Sequence, residues 1–327
     1  MTPAGAPAPT FDDVLRASAA VGRRLHRTPI LRSETLGRVF AGRAYLKAEL
    51  FQKTGSFKPR GILAKLATLS PEERARGVIT ISAGNAAAAV AYGAALEGID
   101  CLVVMSRGAS TAKVEATRGY GAEVDLAATD SVAAFERVRE LQEATGRTLV
   151  HPFDDPSVIA GHGSLALEVL EDRADVDVMV VPVGGGGLVS GVALAAKGAR
   201  PGVRVVGVEP SGSAALGLAL DAGEPVRIVP DSFADGLNAP FAGDYCLAVS
   251  RLHLDACVTV TETEIARGFR FLYERAKLAA EPAGAAAVAA LLAGKVPDVA
   301  GRTVVAVVSG GNVAAETASG ILTSDEG

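Results

Sequence analysis

Residues 178–191, VMVVPVGGGGLVSG, read as a buried strand, four glycines and a helix starting near Leu188. Backbone amides freed from side-chain bulk at the positive end of a helix form a cradle for a phosphate. Two other readings stand beside this one. The run could be only a tight strand-to-helix turn, or it could be a dinucleotide site, since Glu209 closes the next strand about 20 residues on, where a ribose-binding acid would lie. The spacing argues against the dinucleotide. G-x-G-x-x-G begun at Gly184 needs glycine where Val189 stands, and begun at Gly185 it needs glycine where Ser190 stands. No Walker loop occurs either.

Outward from this unit, short apolar runs alternate with helical stretches. Strands are expected at Ala44–Lys47, Val78–Ile81, Cys101–Met105, Glu123–Asp125, Leu149–Val150, Val178–Val183, Val203–Val208, Cys257–Val260 and Thr303–Val308. Thr10 and Asp13 form a capping box ahead of an amphipathic first helix, after a Pro- and Ala-rich tail at residues 1–9. Ser70, Pro71 and Glu73 supply a cap, a proline at the first helical position and an acid near the positive dipole end. Such alternation implies an α/β protein of doubly wound open sheets, whose ligands sit beyond the carboxyl ends of strands. Three of those ends carry small glycine-containing loops: Ser82–Asn85, Gly184–Gly187 and Ser309–Asn312.

The chain has 327 residues, about half of them apolar, more than one hydrophobic core of roughly 250–300 residues supports, so two domains are expected. No apolar run approaches the ~20 residues of a spanning helix, and the N-terminus has no signal-like segment, which points to a soluble cytoplasmic protein without a membrane partner. A net charge of −5 with scattered basic residues gives no footprint for nucleic acid. Cys101, Cys246 and Cys257 have no metal-ligand spacing, and the first two lie in apolar stretches.

Lys58 lies in TGSFKPRG, residues 54–61, ahead of Pro59. The proline suits a first helical position and disfavours helical geometry in the residue before it, so Lys58 is expected at the lip of a helix. A cation there opposes the macrodipole, and burial would lower its pKa further; both favour the neutral amine that Schiff-base chemistry needs. Taken alone, the segment favours a solvated surface lysine, the usual fate of Lys.

Its company decides otherwise. TGSFKPRG, SAGN, VGGGGL and SGGN, in this order, together with HPFDDP at 151–156, ADG at 234–236 and EPAGAAA at 281–287, resemble the fold-type II pyridoxal-phosphate enzymes. The similarity is to their threonine/serine dehydratase and serine racemase branch, and it runs from about Arg27 to Asn312. The resemblance implies pyridoxal 5'-phosphate as cofactor and the tryptophan synthase β-like architecture. A large cofactor-binding domain would comprise residues 1–76 and 151–327, and a small mobile domain residues 77–150. It implies Lys58 as the Schiff-base lysine that later moves the α-proton, with Phe57 packed beside the ring. Asn85 would bond the phenolic oxygen, and Gly184, Gly185, Gly186, Gly187 and Leu188 would hold the phosphate. Ser309 would meet the pyridine nitrogen, Gly236 would line the cleft, and Glu281 would lie near the ring. Ser82, Ala83, Gly84, Asn85 and Ala86 would bind the substrate. The implied activity is β-elimination from a threonine- or serine-like β-hydroxy amino acid, giving a 2-oxo acid and ammonia, in a homodimer.

The sequence departs from this family in places. Racemases of the branch carry serine where Ala83 stands, which disfavours racemisation. The family continues SAGN with His and Gln, whereas this chain has Ala86 to Ala89. Helix propensity explains Ala87 to Ala89; at Ala86 a roomier pocket for a bulkier β-substituent is expected. The divalent-cation site of some relatives would use Glu209 and an acid where Ala215 stands, so no metal is expected. His151 and His162 are expected to be structural. The chain ends shortly after SGGN, so no regulatory domain of the biosynthetic dehydratases is expected.

Overall fold

The computed structural model describes residues 7–129 and 131–324. Residues 1–6 of the expected tail lie outside the described residues. The strands are β1 (Ile30–Arg32), β2 (Arg43–Ala48), β3 (Val78–Ile81), β4 (Cys101–Ser106), β5 (Glu123–Ala128), β6 (Thr148–Leu149), β7 (Val178–Pro182), β8 (Arg204–Pro210), β9 (Ala256–Val260) and β10 (Thr303–Val308). They form a six-stranded sheet of order β1-β2-β10-β7-β8-β9 and a four-stranded sheet of order β5-β4-β3-β6. All pairings are parallel except β1 with β2.

Side-chain alternation along the strands explains how both faces of the large sheet are covered. Val178, Val180, Val206, Val208, Val304, Ala306 and Val308 share one core with the helix Pro282–Leu292. Met179, Val181, Val205, Val305 and Val307 face the other way, onto the helices Pro156–Asp172 and Gly187–Ala199. In the small sheet Val78, Cys101, Val103 and Met105 pack on the helix Asn85–Glu97, and Ile79, Leu102 and Val104 pack on Ser131–Thr145. Ile62 and Leu66 of the helix Pro59–Ala67 also enter the core beneath the small sheet, so the segment after Lys58 is wedged between the two sheets.

The capping box expected at Thr10 forms, and Ser70 caps its helix as expected, with Glu73 completing a second box there. Two features differ from expectation. The antiparallel edge strand β1 is only three residues long, too short to show a period of two. Lys58 has φ −52° and ψ −40°, helical values, although Pro59 follows it. The preference for extended geometry before proline is modest, and the packing of this helix overrides it.

That packing centres on buried charge. The Arg60 guanidinium, 1% exposed, donates to Glu49 through Nε (2.8 Å) and Nη2 (2.9 Å) and to Glu168 through Nη1 (2.7 Å) and Nη2 (2.9 Å). Lys47 Nζ of β2 adds a 2.6 Å bond to Glu168 and a 2.9 Å bond to the Thr28 carbonyl. Burial pushes the Glu49 carboxyl up, and the charge and hydrogen bonds of Arg60 together with Lys47 and Thr28 more than offset this, leaving it below the usual range. Removing one partner of such a cluster strands the others without compensation. Arg60→Met should therefore lower unfolding stability in urea by about 3–5 kcal/mol; a loss below about 1 kcal/mol, the scale of a surface pair, would contradict this.

Candidate active site

Lys58 is delivered by a sharp turn. Thr54 and Gly55 are consecutive left-handed residues with φ 59° and 73°. A Cβ at Gly55 would lie 2.5 Å from Asn312 Oδ1, so glycine is needed there twice over. The chain then runs antiparallel to the loop after β10. Phe57 N–H donates to Ser309 O (3.0 Å) and Gly311 N–H donates to Gly55 O (2.9 Å). Phe57 meets His162 edge-on at 4.8 Å. Lys58 Nζ donates to Pro152 O at 2.7 Å. Burial pushes its amine down to about 8, against the opposing pull of Cys246 and Glu281.

The glycine loop after β7 faces the same cleft. Among the described residues, none of the amides of Gly184, Gly185, Gly186, Gly187 and Leu188 donates to a protein acceptor, though all but Gly184 are buried. Behind the loop there is no space for side chains. A Cβ at Gly185 would lie 2.4 Å from the Phe153 ring, one at Gly187 2.7 Å from Phe153 O, and Gly186 has φ +96° with Cys246 Cβ 2.8 Å from where its own Cβ would be. Asp154 fixes this backing. Its carboxylate accepts from the amides of Asp244 (3.1 Å), Tyr245 (3.0 Å) and Cys246 (3.3 Å), capping the helix Asp244–His253.

The loop after β3 closes the cleft from the small sheet. Ser82 Oγ accepts from Gly84 N–H at 3.1 Å. Asn85 Nδ2 donates to Glu281 Oε1 (2.8 Å), and its Oδ1 accepts from Asn312 Nδ2 (2.7 Å), which also donates to Thr54 O (2.8 Å). Burial pushes the Glu281 carboxyl up to about 7, against the Asn85 hydrogen bond. Glu281 precedes the helix Pro282–Leu292 without capping it through its side chain. A Cβ on Gly236 would lie 3.7 Å from Glu281 Oε1. Ser309 is buried, and its hydroxyl has no hydrogen bond among the described residues. These contacts bring together Phe57, Lys58, Asn85, the glycine loop, Gly236, Glu281 and Ser309, while Ala86 is covered (3% exposed). Ala87 and Ala89 are buried against Ile62 and Leu66, so the alanine run serves close helix packing.

The family model for pyridoxal-phosphate dependent enzymes matches residues 22–310. The chain belongs to that family. It is 45% identical to the L-threonine ammonia-lyase of Thermotoga maritima over 93% of this chain and 76% of that one. It is 39% identical to a catabolic L-threonine dehydratase of Escherichia coli over 93% of each. Maize serine racemase superposes with a TM-score of 0.91 at 36% identity, covering 95% of this chain and 96% of that one.

As a pyridoxal-phosphate enzyme, the chain has groups that fit its cofactor. Unclaimed buried amides at a helix N-terminus suit the phosphate, and the unpartnered Ser309 hydroxyl suits an aromatic nitrogen. The dinucleotide reading gives way, because Glu209 is engaged elsewhere: its oxygens accept from the amides of Leu216 (2.8 Å) and Gly217 (2.9 Å), capping the helix Ala215–Ala222. Among the described residues no group of three or more His, Cys, Asp or Glu side chains could hold a metal. The roles of Pro152, Phe153, Asp154, Cys246 and Asn312 went unread from sequence. HPFDDP and SGGN mark four of them as motif residues, but contacts across some 90 positions leave no local signal.

A buried amine with this depressed pKa has a measurable signature. In competitive labelling of the cofactor-free protein with an amine reagent, Lys58 should become reactive with a midpoint near pH 8, not near the ordinary lysine value of 10.5. A midpoint near the ordinary value would contradict the enclosure of this amine.

Proposed function

We propose that this enzyme catalyses β-elimination from a small β-hydroxy amino acid of the threonine or serine type, releasing a 2-oxo acid and ammonia. The observation that carries the reading is Lys58, whose amine is held beneath a cleft that has unclaimed phosphate donors on one wall and a hydroxyl, not a carboxylate, at Ser309. The names of the two curated relatives, at 45% and 39% identity, support the same activity.

When bound, pyridoxal 5'-phosphate supplies an electron sink for the bond broken at the substrate Cα. The chain's own residues do the rest. Gly184 to Leu188 would anchor the phosphate, Asn85 would donate to the phenolic oxygen, and Gly236 and Glu281 would border the ring. Ser309, a hydroxyl, would not protonate a pyridine nitrogen as a carboxylic acid would, so the sink would be weaker, which suits expulsion of a β-hydroxyl. Ser82 and the loop 82–86 receive the substrate carboxylate. Lys58, whose amine burial pushes down to about 8 so that the free base is within reach near physiological pH, would take the α-proton.

Residues 77–150 form a mobile domain in this reading. It closes through Asn85 with Glu281, Lys113 with Asp235 (2.6 Å) and Phe135 with Phe241 (6.1 Å between ring centres), and so keeps water out during turnover. The enzyme works as a cytoplasmic homodimer. Among the described residues no helix is long and apolar enough to cross a membrane. A second reading, racemisation, draws on the similarity to maize serine racemase; the methyl group of Ala83, which cannot exchange a proton, weighs against it.

With cofactor added, threonine or serine should yield equal amounts of 2-oxo acid and ammonia, and Lys58→Ala should lower this rate by at least roughly 10²–10⁴-fold. Loss of optical activity without 2-oxo acid would replace elimination with racemisation. Incorporation of an added thiol would replace it with β-replacement.

A further inference from the structure

The carbonyl that holds the Lys58 amine belongs to the peptide group between Pro152 and Phe153, and the other end of that group is also held. His151 Nδ1 accepts from Phe153 N–H (3.3 Å) and from Asp154 N–H (2.8 Å). In a trans peptide the N–H and C=O point in opposite directions, so fixing the first aims the second. The imidazole and the Lys58 ammonium therefore grip opposite ends of one peptide plane. A hydrogen bond at the N–H also polarises the carbonyl and makes it the stronger acceptor.

Accepting two amides at Nδ1 requires that nitrogen to be unprotonated, which puts the ring proton on Nε2. There it is buried and has no partner among the described residues. An unmet buried donor costs roughly 1–3 kcal/mol, a penalty that a ring serving only to fill space could avoid by being replaced with an apolar side chain. Burial pushes the His151 imidazole down to about 3, so it stays neutral and accepting throughout the working pH range.

The same short turn sets the other half of the site. Phe153, held at its N–H, is the ring behind Gly185, and Asp154, held at its N–H, caps the helix that brings Cys246 against Gly186. We infer that His151 is a positioning residue: through one imidazole nitrogen it aims the Pro152 carbonyl at the Lys58 amine and registers that amine against the glycine cradle. This rests on Lys58 being the reacting lysine. Besides the Pro152 carbonyl, the titratable groups facing the amine are Cys246, Glu281, His151 and His162; burial keeps the thiol and both imidazoles neutral around pH 7 and pushes Glu281 up to about 7, so that only part of its charge is present there.

The test is the labelling midpoint of Lys58 in the cofactor-free protein, compared among wild type, His151→Leu and His151→Asn. A carbonyl acceptor favours the ammonium form, so losing its aim should lower the midpoint. His151→Leu should bring it down by about one pH unit, a tenfold change in proton affinity, the scale of a hydrogen bond to a charged group. His151→Asn, whose Oδ1 can take the place of Nδ1, should restore most of the shift. Where the Leu variant does not fold, His151→Ala takes its place.

A wild-type midpoint in the Leu or Ala variant would overturn the inference, as would an Asn variant no closer to wild type than they are. These readings need no cofactor. A chain that shows the expected midpoints yet binds no pyridoxal 5'-phosphate would thus support the placement of the amine while overturning the proposed function.

Discussion

The Arg60 guanidinium is buried, and a buried charge must be answered on every side. Glu49 and Glu168 answer it, and Lys47 in turn answers Glu168. These partners come from the turn after β2, from the helix Pro156–Asp172 and from β2 itself, so one side chain ties the segment after Lys58 to the large sheet and to a helix on its face. Just before Lys58 the same segment is bonded along the loop after β10 through Gly55 and Phe57. Lys58 sits between these two fastenings and has little freedom in where its amine can go. The left-handed pair Thr54–Gly55 is the strained turn that lets the chain enter this position.

With its backbone fixed, the lysine's chemistry follows from its surroundings. Its amine is enclosed, its hydrogen-bond partner is a neutral carbonyl, and the carboxyl that acts on it, Glu281, is itself pushed toward its neutral form by burial. No full negative charge stabilises the ammonium, so the free amine is accessible near neutral pH. The phosphate donors of the glycine loop are held in register by Phe153 and Asp154 of the turn whose Pro152 carbonyl meets the amine. Distances within the site are thereby set by the covalent geometry of a few consecutive residues.

Much of this was legible in the sequence. Nine of the ten strands are expected from the sequence, and those such as β7 and β10 are plainest, because a strand buried on both faces leaves no polar break. The glycine loop is readable because only backbone amides free of side chains can cradle an anion. What escaped reading was non-local. Asp154 caps a helix some 90 residues away, and Asn312 orients Asn85 across the two sheets. Lys58 was expected to avoid helical geometry, and tertiary packing overrode that local preference. Ala87 and Ala89 are buried where two helices approach closely, a contact that no local pattern announces.

The central claim is that Lys58, held between the two fastenings, is the amine that carries the cofactor. Borohydride reduction of the protein loaded with pyridoxal 5'-phosphate, followed by peptide mapping, tests it directly, because reduction makes the attachment permanent. The account predicts one pyridoxyl group per chain, on the peptide containing Lys58. Labelling of any other lysine, or of none, would contradict it.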